Sequence, residues 1–427
     1  MGKVETKPNR GYVYAVICIM ASLSAMVYYP VVELLNRISV PVSSRAYLIY
    51  NYAVFGISIA VSIMTVASKK GKLSLSVAKG VGLIILVTLL FLIYGLFYRQ
   101  NSQHFLYFFL WAVPALFVGM FVPSIDNPSV IKLLEPVILI MGIASTVASV
   151  RYLAAGVSYL NQLTYGGTNY QGLSYTGAFC VGMELYYIFI ASEEKRFCIF
   201  NTKAGKITEI LFGLGAALSV FVSGGRGGLV LLILNVLVFF ILLKQKNKYS
   251  RRSSRIIQIL LIALIVLLVA VLFRIFSGNT LVSDSVDRLL SYISPTAKSD
   301  MWNEGRSNIY RTAFRAIADN PIYGYGFFNS SALNGEPYPH NFLLETWMNA
   351  GFIYLALWLF IIISLLRFVI KLKKENIDNS WVLLILTYAF AFLSVSGTYL
   401  WCSQFWFIIG VMLSGKKVEM RPGHNYN

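Results

Sequence analysis

GVGLIILVTLLFLIYGLFY, residues 80–98, runs for nineteen positions without one charged side chain. At about 1.5 Å of rise per residue, a helix of that length reaches about 30 Å, the thickness of a bilayer's hydrocarbon core. Comparable apolar runs recur along the chain and predict twelve spans, at 11–30, 46–67, 79–98, 104–122, 133–150, 173–191, 207–223, 228–243, 256–276, 342–366, 380–398 and 400–415. The composition agrees. Of 427 residues, 57% are hydrophobic and 13% charged, where a soluble domain has about a quarter charged. The chain therefore reads as an all-α, polytopic helical integral membrane protein with about 12 transmembrane helices and one large, partly helical outer loop.

Charge sets the expected orientation. The net charge is +18, which in a soluble chain would suggest nucleic acid. Here the basic residues fall in short loops between spans, so no nucleic-acid partner is expected. With the N-terminus in the cytoplasm, 25 of the 36 basic residues lie on that side, clustered as KKGK (69–72), KQKNKYSRRSSR (244–255), RFVIKLKK (367–374) and a tail beginning GKK at 415. The other 11 lie outside, so the positive-inside rule favours this orientation, with both termini cytoplasmic. The first apolar run spans rather than serving as a cleavable signal, because no small-residue cleavage site follows it.

Two long segments then face outward. One is RYLAAGVSYLNQLTYGGTNYQG (151–172), rich in Gly, Tyr and Asn. The other covers 277–341, with six acidic and five basic residues. It divides the chain into helices 1–9 (1–276), the outer loop (277–341), and helices 10–12 with a tail (342–427). A connection that long usually has structure and function of its own. Within it, 306–319 reads as a helix stopped by Asn320-Pro321. Ile309, Ala313 and Ile317 form one stripe that also carries Arg306, while Arg311 and Arg315 take the opposite face, toward water or headgroups.

Cys18, Cys180, Cys198 and Cys402 show no paired spacing and read as small apolar residues. With three histidines in all, no metal-ligand cluster is visible, and no cofactor is expected. The candidates for chemistry are few. Arg226 sits in SGGRGG between two apolar runs, where a charge is costly and usually has an assigned partner; a tight turn with an arginine reaching the headgroups fits the same residues. Arg306 suits bidentate phosphate recognition, or pairing with Glu304 or Asp300. His340, between Pro339 and Asn341 at the start of a span, is placed for general-base work, or for capping the helix. Arg151 opens the other outer loop and is a weaker substrate candidate. His104 and His424 read as structural. The tryptophans and many tyrosines mostly read as an interfacial belt, and some in the outer loops could stack on sugar rings.

Three signatures together resemble the O-antigen ligase and Wzy-type polymerase superfamily of bacterial membrane glycosyltransferases. SGGRGGLVLLIL resembles its Ser-x-Ser-Arg-Gly element, with Gly225 where a serine is usual. GRSNIYRTAFRAIADNPIYGYG resembles its Gly-Arg helix and Pro-x-x-Gly-x-Gly turn. PHNFLLETWMNAGFIYLAL resembles its His-Asn helix, with a glycine about ten residues on. Arg315 and Gly326 also fit an arginine–glycine spacing described for some polymerases.

The resemblance implies an enzyme of the plasma membrane whose extracytoplasmic site acts on a polyprenyl-diphosphate-linked oligosaccharide without a metal. Arg226 and Arg306 would hold the diphosphate, and His340 would activate the acceptor hydroxyl. It also leaves room for a chain-length regulator protein as partner, beside the membrane lipids. A ligase transferring finished glycan to a lipid core shares the motifs. The second long outer loop and the arginine–glycine spacing favour a polymerase. A flippase for the same lipid-linked substrate is disfavoured, because the halves show no repeat and charges are not spread through several span interiors.

Overall fold

The computed structural model describes residues 10–43, 45–68, 75–121, 128–155, 163–246, 297–329, 333, 335–375 and 379–414. The expected span at 256–276, the outer loop before 297, the KKGK cluster and His424 lie outside these residues. The helices are α1 (Arg10–Ser22), α2 (Ser24–Arg37), α3 (Ala46–Ser68), α4 (Leu75–Gly95), α5 (Ser102–Tyr107), α6 (Val113–Phe121), α7 (Pro128–Ala154), α8 (Tyr170–Phe189), α9 (Lys203–Ser223), α10 (Arg226–Lys246), α11 (Ala297–Asp319), α12 (Phe342–Glu375), α13 (Trp381–Val395) and α14 (Ser403–Leu413). A two-stranded hairpin pairs β1 (Thr164–Tyr165) with β2 (Thr168–Asn169) ahead of α8. Seven of the described helical segments are long and apolar enough to cross a membrane, or eight if α1 and α2 count as one span. The chain is an all-α polytopic membrane protein.

Three spans depart from their expected form. The run at 11–30 is not one helix: it bends by 91° between α1 and α2. Leu23 leaves helical geometry there (φ −111°, ψ 12°), and the Ser22 carbonyl accepts a bond of 3.0 Å from Ser403 Oγ of α14. The spans expected at 380–398 and 400–415 shorten to the 15 residues of α13 and the 11 of α14. At about 1.5 Å per residue neither reaches across a 30 Å core. The segment between them is non-helical and bonds to other elements instead. Trp401 Nε1 donates to the His104 carbonyl at 2.9 Å, and Trp406 Nε1 to the Tyr399 carbonyl at 2.7 Å.

The remaining spans form the bundle. α8 lies at its centre, packed on α7, α9, α10 and α13, while α14 packs on α6 and α1. Between α5 and α6 the helix widens into a π turn, Phe108–Ala112. Pro114 explains it, because a proline cannot donate to the carbonyl four residues back and its ring crowds that carbonyl.

α12 is broken at Ala350–Gly351, where Gly351 takes φ +76° and ψ −171°. The break leaves backbone groups without helical partners, and the turn after α11 supplies them. Tyr325 N–H donates to the Met348 carbonyl at 2.6 Å, Gly326 N–H to the Asn349 carbonyl at 2.9 Å, and Phe352 N–H to the Pro321 carbonyl at 3.0 Å. The Pro-x-x-Gly-x-Gly turn is thus docked by main-chain bonds onto the helix that begins beside His340.

Candidate functional site

Asn341 caps α12: its Oδ1 accepts from Leu343 N–H at 3.1 Å and Leu344 N–H at 3.2 Å, the usual work of an N-cap side chain. His340, one residue earlier, sits at φ +53°, a conformation uncommon outside glycine and often found where function requires it. Its Nδ1 lies 2.9 Å from the Ser396 carbonyl, just past α13. A carbonyl can only accept, so Nδ1 carries the proton, and in the neutral ring Nε2 carries the lone pair. Nε2 lies 4.0 Å from Glu336 Oε2, on a side chain 26% exposed. The imidazole is thus held in one orientation, partly exposed and near the Glu336 carboxylate. The Tyr338 ring lies 4.6 Å away. Burial, then the charges of Glu345 and Glu336, push its phenol above the ordinary range, so Tyr338 stays protonated and is no competing base.

The SGGRGG signature meets the His-Asn signature through Ser396. α9 ends at Gly224 with φ +58°, and α10 starts two residues later at Arg226, which is buried. A cation at a helix N-terminus adds its charge to the positive end of the macrodipole, an arrangement that favours a bound anion. Tyr175 of α8 donates from its hydroxyl to Ser396 Oγ at 2.9 Å, and that hydroxyl occupies the space a Cβ at Gly227 would need. Ser396 is therefore held at its carbonyl by His340 and at its hydroxyl by Tyr175, which abuts the Arg226 turn.

Gly225, where the family resemblance expects a serine, faces Ser174, whose Oγ donates to the Gly225 carbonyl at 3.0 Å. A Cβ at 225 would lie 2.5 Å from Ser174 Oγ. The hydroxyl at this turn is thus supplied from α8, bonded to the Gly225 carbonyl. Gly225→Ser alone is expected to lower thermal stability by about 1–3 kcal/mol through overpacking. Adding Ser174→Gly should recover most of that loss, which unfolding midpoints in detergent would report.

α11 begins nine residues before the expected 306, at Ala297, and its apolar stripe is as predicted. Ala313 and Ile317 are buried with Leu344 and Met348 of α12, and Ile309 packs against them. Arg311 and Arg315 are exposed on the other face, directed away from α12 and not brought to His340. The backbone at 306 is helical; the Arg306 side chain lies outside the described residues. Arg151, in the last turn of α7, places its guanidinium 4.1 Å above the Tyr152 ring. His104 stands edge-on to Trp401 at 5.2 Å, within the aromatic packing.

Sequence reasoning missed Ser174, Tyr175, Ser396 and Glu345. The first three lie in or beside spans, with nothing in their spacing to mark them. Glu345 did carry a signal, as an acid in the first turn of an otherwise apolar span. It is buried, one carboxylate oxygen accepts from the Thr398 hydroxyl, and the other has no hydrogen-bond partner. The turn 396–398 is thus gripped at both ends by α12 and the residue preceding it.

No curated protein and no solved structure matches the chain. The family model described as O-antigen ligase matches residues 211–359, from within α9 to the middle of α12. That segment holds Arg226, Arg306 and His340, and over it the chain is similar to the O-antigen ligase family.

Proposed function

We propose that the protein joins polyprenyl-diphosphate-linked oligosaccharide repeat units at the outer face of the bacterial plasma membrane. The orientation of His340, with Nδ1–H on the Ser396 carbonyl and Nε2 turned toward Glu336, carries this reading. An acceptor sugar hydroxyl gives its proton to Nε2 as its oxygen bonds to the donor's anomeric carbon. The bond from that carbon to the diphosphate oxygen breaks, and the polyprenyl diphosphate leaves with the electron pair. Arg226 and Arg306 hold the growing negative charge, the kind of preset electrostatics that usually contributes most to such a step. The step uses no metal.

Arg226→Ala is expected to lower transfer by about 10²–10³-fold, with Arg226→Lys recovering part of it, because lysine keeps the charge but not the fork. Purified protein given a lipid-linked repeat unit as its sole glycan, with products resolved by size, tests the whole reading. A ladder that disappears with His340→Ala supports a polymerase. The family description favours one second reading, a ligase that passes finished glycan to a lipid core. Folded protein that yields no ladder but glycosylates an added lipid core would establish it instead.

A further inference from the structure

Five aromatic rings lead away from His340 in an unbroken series. Tyr338 lies 4.6 Å from the imidazole, and Trp401 lies 5.6 Å from Tyr338. Tyr107 follows at 5.6 Å, Trp111 at 4.7 Å and Tyr47 at 6.1 Å. They come from distant parts of the chain: the segment before α12, the segment before α14, the end of α5, the π turn and the start of α3. All five are partly exposed, whereas Trp358, Trp381 and Trp406 in the core are fully buried. An interfacial belt scatters its rings around a bundle, each with a polar tip toward the headgroups. These rings instead pack in a series whose first member, Tyr338, lies against His340.

We infer that this row of rings is the binding site for the acceptor oligosaccharide, whose sugar residues stack along it with the attacking hydroxyl at the His340 end. The inference rests on the glycan-transfer reading for the choice of acceptor over donor. The chemistry fits a carbohydrate. A pyranose presents an apolar C–H face that covers an aromatic ring; the indole N–H groups are already committed, Trp401 to the His104 carbonyl and Trp111 to Asn51. Stacking makes no demand on hydroxyl configuration, so the row provides reach and leaves the choice among sugars to polar neighbours.

The test separates binding from catalysis. Wild-type protein in detergent is titrated with lipid-free repeat-unit oligosaccharide and, separately, with lipid-core oligosaccharide, following intrinsic tryptophan fluorescence, to which Trp111 and Trp401 contribute. One of the two should quench or shift the emission, and should do so equally in His340→Ala. Tyr107→Leu, which keeps apolar bulk but removes the ring, should weaken that binding by about tenfold, and Tyr107→Phe should leave it unchanged. Tyr47→Leu, at the far end, is a second variant in case the first unfolds. Equal affinity in both leucine variants, or no binding of either sugar by wild-type protein, would overturn the inference even where His340-dependent transfer is intact. Tyr107-dependent binding in a protein that transfers no glycan would uphold the row and count against the function.

Discussion

Replacing His340 by alanine is expected to lower glycan transfer by about 10²–10⁴-fold, the usual contribution of a positioned general base. His340→Asn makes the sharper comparison. Asparagine tolerates positive φ better than most residues, and its side-chain amide can still donate toward the Ser396 carbonyl that Nδ1 now meets. It cannot take up a proton at the position of Nε2. The asparagine variant should therefore unfold at the temperature of the wild type and still fail to make product. The pH dependence follows with a definite sign. In acid both ring nitrogens are protonated and Nε2 can only donate, toward Glu336, so transfer should rise with pH as the imidazolium loses its proton. Product per unit time from reconstituted protein, with unfolding midpoints alongside, checks both. An asparagine variant as fast as the wild type would remove His340 from the chemistry.

Gly351→Ala is expected to lower stability by about 2–4 kcal/mol, at the upper end for one added methyl group. Its φ of +76° with ψ of −171° belongs to glycine, and a Cβ there would lie 1.7 Å from the Ile322 carbonyl oxygen. That neighbour is backbone and cannot swing aside. Relief requires the 321–326 turn to lift from α12, which breaks the main-chain bonds of Tyr325, Gly326 and Phe352. Gly335→Ala is the control. It too has a positive φ, +98°, but nothing lies within 4 Å of its added carbon. The gap between the two unfolding midpoints in detergent isolates the clash from the backbone strain. Equal midpoints would show that the turn is not held against the break.

Hydropathy and spacing made most of the helices legible, because a bilayer demands long apolar helices and a buried stripe recurs at a fixed period. Ile309, Ala313 and Ile317 were found that way, and so were the exposed positions of Arg311 and Arg315. The bend at Leu23 was not. No proline or glycine marks it, and what supports it is a serine 381 positions away in the chain. The shortening of α13 and α14 has the same origin, since Thr398, Trp401 and Trp406 find partners the local sequence does not announce. At the site, His340 and Arg226 stood out as rare residue types in an apolar setting. Ser396 and Tyr175 did not, because a serine and a tyrosine in a membrane helix look like packing until the fold sets them 221 residues apart yet in contact.

The join between the 321–326 turn and α12 is made by peptide groups, and peptide groups are the same in every residue. Apart from its glycines, the turn can change its side chains without changing how it is held. Ile322 and Tyr323 point outward and are exposed, so substitutions there should leave the position of His340 as it is. On the proposed function, a chain built this way can be altered on its surface to suit a different sugar while His340 stays in place. New specificity would then arise by exchanging side chains on a fixed frame, with no need to rebuild the frame.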